Sequence, residues 1–104
     1  MDVFERKLQR LCISEDHHER NGLAIELLDA SLVDAAKASR LLATLFKTIA
    51  SCAFQQVGTL VWCASHFDCS EYKAELNQIV LHGGFEASET AQQIIENQNL
   101  HPRP

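Results

Sequence analysis

The sequence predicts an all-α fold, a compact bundle of about five helices with one long central helix. Three observations carry that expectation. Apolar residues recur at spacings of three and four along most of the chain. Asp and Ser residues stand where those runs begin, and hairpin signals are nearly absent, with Asn21-Gly22 and Gly83-Gly84 the only turn dipeptides. The 104 residues are 46% hydrophobic and include 4 Gly and 2 Pro, a composition that excludes a disordered, collagenous or linker-like chain. The expected organisation is a single helical domain over residues 1–99 and a frayed tail over 100–104.

A first helix over residues 2–12 places Val3, Phe4, Leu8, Leu11 and Cys12 on one side. Asp16 with Glu19 three residues on is a capping box, opening a helix that carries Leu23, Ile25, Leu27 and Leu28. Ser31 with Asp34 is a second such pair, so a break is expected near residues 29–31, with one continuous helix as the competitor. From Leu32 the stripe Ala38, Leu42, Leu45, Ile49, Cys52 and Ala53, widened by Leu41, Phe46 and Ala50, predicts the central helix. Gly58 is its weak point. The run Thr59-Leu60-Val61-Trp62-Cys63 is β-prone, but no second strand-like run exists to pair with it, so continuation of the central helix or a fresh helix over residues 59–66 is preferred.

Asp68-Cys69-Ser70-Glu71 reads as another helix start, leading through Tyr72, Leu76, Ile79, Val80 and Leu81. Gly83-Gly84 reads as a stop, on the expectation that glycine there takes the left-handed conformation. Ser88 is the expected cap of a last helix through Ala91, Ile94 and Ile95 to about residue 98, and Pro102 forbids continuation beyond.

The first residues alternate acidic and basic side chains without an apolar core, unlike a secretory signal, so a cytoplasmic location is expected. The twenty residues 48–67 contain no Asp, Glu, Lys or Arg, which is bilayer-spanning length. Gln55 and Gln56 near their middle favour a buried helix of a globular protein over a membrane span. Four cysteines, Cys12, Cys52, Cys63 and Cys69, are then expected as reduced thiols.

Net charge is −5 with a pI near 5.4, distributed as −4 over residues 1–34, +3 over 35–67 and −4 over 68–104. That balance argues against nucleic acid as a partner, and −5 is too sparse an array for an acidic DNA mimic. Phosphate-loop, nucleophile-elbow, zincin and EF-hand patterns are missing from the sequence. Cys69 at a helix start resembles an activated thiol only until Asp68 and Glu71 are counted against it, so no catalytic residue and no cofactor are expected.

What remains is recognition of another protein. The expected function is a non-enzymatic interaction module, acting as inhibitor, immunity factor, adaptor or chaperone-like subunit, of a kind that phages and plasmids also encode, and able to form a homodimer. Its expected contact residues are the basic side chains Lys37, Arg40 and Lys47 with the aromatic anchors Trp62, Phe67 and Tyr72. A different class of function, a metal- or thiol-responsive sensor, would use Cys63, His66 and Cys69 with a further ligand from Cys12, Cys52 or the His17-His18 pair. In their bland readings these residues are core thiols, a surface imidazole and a solvated loop.

Overall fold

The computed structural model describes residues 2–101, and among them the fold is all-helical. Six α-helices and one 3-10 turn follow in order: α1 (Val3–Ile13), α2 (His17–Ser31), α3 (Ala35–Ser51), α4 (Gly58–Ala64), the 3-10 turn Ser70–Tyr72, α5 (Lys73–His82) and α6 (Phe85–Asn97). The first three helices pack on one another, α5 and α6 form a hairpin, and α4 touches α2 and α3 on one side and α6 on the other. The expected dominant central helix is corrected: α3 has 17 residues against 15 for α2, and the central position belongs to α4, with 7 residues. Leu60, Val61, Cys63 and Ala64 of α4 are all buried, joining Leu11, Leu27, Leu41, Leu45, Ile49, Leu76 and Ile79 in one core.

The helix starts follow from acid caps. Asp2 accepts from the Glu5 N–H at 2.8 Å and Asp16 from the His18 N–H at 2.9 Å, each satisfying a donor that the first turn leaves orphaned. Glu19 does not complete the expected box. It turns instead to Arg10, whose Nε and Nη2 donate to its two oxygens at 3.0 and 3.2 Å, and to the Ser14 hydroxyl. The chain does break between α2 and α3, but the cap is Asp34, accepting from the Ala36 and Lys37 N–H groups, and not Ser31. Ser31 is buried in the last turn of α2, donating to the Leu27 carbonyl at 2.7 Å. A serine that bonds back to its own helix needs no solvent, whereas a carboxylate does, and this sorts the two candidates.

Two helix ends share one device. At the end of α6 the Asn99 N–H donates to Glu96 O and the Leu100 N–H to Ile95 O at 2.8 Å, with Asn99 left-handed at φ 56°. This is the Schellman closure, in which the residue beyond the left-handed position folds back on the helix. Leu100 is buried accordingly; residues 102–104 of the expected tail lie outside the described residues. At the end of α3 the same pair of bonds runs from Ala53 to Ala50 and from Phe54 to Ile49, with Ala53 at φ 53°. Phe54 and Gln56 are left-handed as well.

Gly83-Gly84 does separate α5 from α6, but by a different means from the expected one. Neither glycine has positive φ; Gly83 stands at −73° and Gly84 at −65°. Gly83 is required by space: a Cβ there would lie 2.6 Å from the Ile79 carbonyl oxygen. The last helix starts at Phe85, three residues before the expected Ser88 cap. Ser88 donates instead to the Val80 carbonyl at 2.9 Å and ties the hairpin together.

Gly83→Ala is therefore expected to lower stability by about 1–3 kcal/mol, because the clash is with backbone that cannot turn aside. Ala53→Gly is expected to raise it by about 1 kcal/mol by relieving a left-handed alanine. Urea denaturation of the two variants against the parent checks both signs.

Candidate functional site

Along one face of α3 run Ala35, Ala38, Ser39, Leu42, Ala43, Phe46, Lys47 and Ala50, at helical spacings of three and four. Most are small, and where the facing chain does not close on them they leave a groove. The opposite wall is the segment from Phe67 to Glu75, and what fixes it is Gln98 near the end of α6. Its Oε1 accepts from the Cys69 N–H at 2.8 Å and its Nε2 donates to the Phe67 carbonyl at 2.8 Å. Asp68 accepts from the Ser70 N–H at 3.0 Å and starts the 3-10 turn, which delivers Tyr72 against Phe46. The two rings stack with centroids 4.4 Å apart and planes 10° from parallel.

Tyr72 divides the groove into two clefts. The first, about 310 Å³, lies between Ala35, Ala38, Ser39 and Leu42 of α3 and Phe67, Asp68, Ser70 and Glu71 opposite. The second, about 290 Å³, lies between Ala43, Phe46, Lys47 and Ala50 and the side chain of Glu75. Three carboxylates, Asp68, Glu71 and Glu75, stand on the same wall. Hydrogen bonding to Ser70 holds the Asp68 carboxyl below its ordinary range, while burial first, and then Glu71 and Glu75, push the Tyr72 hydroxyl up. The groove thus has an apolar floor, an acidic wall and one lysine facing it.

The expected contact residues are distributed differently from the way the sequence grouped them. Lys47, Phe67 and Tyr72 meet at the groove. Lys37 and Arg40 lie over the Phe4 ring of α1, 5.3 and 5.9 Å from its centroid, and Arg40 also pairs with Glu5. They fasten α1 to α3. Trp62, 47% exposed, is at a third place, between α4 and α6 beside Ile94, with the His66 ring edge-on at 4.6 Å. Sequence reading missed the alanine face of α3, whose signal was present as Ala35, Ala38/Ser39 and Leu42/Ala43. It also missed Gln98, a polar residue near a helix end with nothing local to distinguish it from its neighbours.

Cys63 and Cys69 are fully buried, and the Cys69 thiol lies 3.3 Å from the Ala64 carbonyl oxygen. His66 is outside, its Nδ1 3.1 Å from the Trp62 carbonyl oxygen. Cys12 and Cys52 line a different cleft. The sensor's ligand set is therefore not assembled, and no group of three or more His, Cys, Asp or Glu side chains among the described residues is arranged to hold a metal ion. No helix among them is long and apolar enough to cross a membrane.

Comparisons with family models, with curated proteins and with solved structures gave no match to this chain. The groove is accordingly read from its own chemistry.

Burial pushes the Cys63 and Cys69 thiols up to about 11 from the ordinary 9.0, with Asp68 adding to the effect at Cys69. A thiol whose pKa is raised by folding favours the folded state fully below pH 9, and that preference is lost as pH rises from 9 toward 11. Native protein at pH 8 is expected to react with a thiol reagent at Cys12 and Cys52 only, the other two reacting on denaturation. Melting temperature should fall more steeply above pH 9 than in a Cys63→Ala variant. Rapid native labelling of all four thiols would contradict the buried placement.

Proposed function

We propose that this chain is a non-enzymatic protein-interaction module of the cytoplasm that receives a basic amphipathic helix of its partner in the groove along α3. The observation that carries the reading is the uncovered alanine face of α3 opposite an acidic wall, with the stacked Phe46–Tyr72 pair between the two clefts. Small residues let a second helix axis come close, and ridges on that helix can enter the clefts on either side of Tyr72. Asp68, Glu71 and Glu75 favour lysine or arginine on the incoming helix, and the net charge of −5 draws it in at low ionic strength. Inhibitor, immunity factor, adaptor and chaperone-like subunit are all roles such a groove serves.

The test is a titration of isotopically labelled protein with two designed amphipathic helical peptides that share a leucine-alanine face and differ in having lysine or glutamate on the polar face. Saturable shifts confined to Ala38, Leu42, Ala43, Phe46 and Tyr72 with the lysine peptide, weakened by salt and by Ala43→Arg, are expected. Equal response to both peptides, or shifts centred on Trp62 or Phe85, would count against the groove. Self-association at the same surface would appear as concentration-dependent shifts without peptide and would replace the foreign helix by a second copy.

A further inference from the structure

Apart from the α3 groove, a cleft of about 210 Å³ opens between α4 and α6. Trp62 and Ser65, at the end of α4, line one side, and Thr90, Gln93, Ile94 and Asn97 of α6 line the other. None of these residues carries a charge. That sets the cleft apart from the two along α3, which hold Asp68, Glu71, Lys47 and Glu75, and from the one at the start of α2, which holds Glu15 and Arg20. Glu86, one turn before Thr90, stands against Gly58 at the start of α4 and is not in the lining.

The polar groups of this lining are available to a ligand. Of the uncharged polar side chains of α6 and its cap, Ser88 is bonded to Val80, Gln92 to Glu96, and Gln98 to the backbone of Phe67 and Cys69. Thr90, Gln93 and Asn97 make no side-chain hydrogen bond among the described residues, and Gln93 and Asn97 are exposed. They recur at spacings of three and four, about 4.5 and 6 Å apart along the helix axis, so one ring-sized molecule can reach more than one of them. Each hydroxyl or amide offers both a donor and an acceptor. The Ser65 hydroxyl donates to the Trp62 carbonyl and keeps its oxygen as an acceptor. Trp62 supplies a half-exposed indole, braced by the His66 ring edge-on at 4.6 Å. The ligand that suits such a lining has no charge, several hydroxyls that both donate and accept, and one apolar face to lie against an aromatic ring, which is the description of a pyranose sugar. A flat nucleobase would use the indole and leave most of the hydroxyl and amide groups unpaired, and a phosphorylated ligand would find no cation in the lining. The volume lies below the roughly 300 Å³ at which clefts for drug-sized ligands begin, which limits the occupant to about one ring.

We propose that this cleft binds an uncharged pyranose, with the C–H face of the sugar against Trp62 and its hydroxyls on Ser65, Thr90, Gln93 and Asn97. The site shares no residue with the α3 groove and does not depend on that reading. Trp62 is the single tryptophan of the chain, so its fluorescence reports on this cleft alone. The probes are the methyl glycosides of glucose, galactose, mannose and N-acetylglucosamine, titrated into the whole protein against sorbitol and adenosine at matched concentrations. A saturable change in emission with at least one glycoside, insensitive to sodium chloride, and only a linear response to sorbitol are expected. Thr90→Val combined with Asn97→Ala should weaken that glycoside at least about tenfold with helical circular dichroism retained, while Ala43→Arg in the α3 groove should leave its affinity unchanged. Should the double variant fold poorly, Gln93→Ala at an exposed position should weaken the glycoside about threefold. No saturable response to any of the four glycosides, an equal response to sorbitol, tighter binding of adenosine, or unaltered affinity in the variants of α6 would each overturn the assignment.

Discussion

The burial of α4 is the constraint on which the remaining structure depends. Seven residues are too few to hold a helix in water, so α4 exists only because Leu60, Val61, Cys63 and Ala64 are covered from both sides. The α1–α3 bundle lies on one side and α6 on the other. Each half in turn has apolar residues that α4 helps to cover. Within the uncharged stretch over residues 48–67, Thr48, Ile49, Val57, Leu60, Val61, Cys63 and Ala64 are buried, and a charge at any of these would lie out of reach of solvent. The bundle and the hairpin both rest on α4, and across the gap between α3 and α5 the Phe46–Tyr72 stack makes contact, as the Phe54 ring does with His82 beyond the end of α3.

The fold class was legible because helical periodicity and acid caps are local, and local signals survive folding. Asp16 caps α2 as its sequence context indicates, and a break does separate α2 from α3, at residues 32–34 and so just beyond the expected 29–31. The errors fall where a residue's partner is distant or where two mechanisms share one residue type. Ser31 and Asp34 are both good caps, and only the packing of α2 decides between them. Glu19 had two acceptable uses, and Arg10, nine positions earlier, took it. Glycine at Gly83 signalled a stop correctly for a reason no sequence rule contains, the approach of the Ile79 carbonyl. At the tail, Asn99 followed by Leu100 was a readable Schellman signal, outweighed in the reading by Pro102.

The site divides along the same line. Phe67, Tyr72 and Lys47, expected as contact residues from their aromatic character and from an acid-free stretch, stand together at the groove. Lys37 and Arg40 shared that signature but are consumed by Phe4 and Glu5, residues more than thirty positions away. Arg40 pairs with Glu5 and Lys37 covers Phe4, while Lys47 lines one cleft with Glu75 and Lys73 lies between Glu71 and Glu75 in the sequence of the acidic wall.

The groove is apolar area, and its contribution to any complex grows gradually with the surface covered. Arg20 donates from Nη1 to the Ser14 carbonyl oxygen and lines, with Glu15, a separate cleft. The end of α3 lines the same cleft through Ser51 and Cys52 and leads directly into left-handed Ala53, Phe54 and Gln56. Strained backbone persists only where its surroundings fix it, and here the fixing comes from Phe54 and Ala53 bonding back to Ile49 and Ala50.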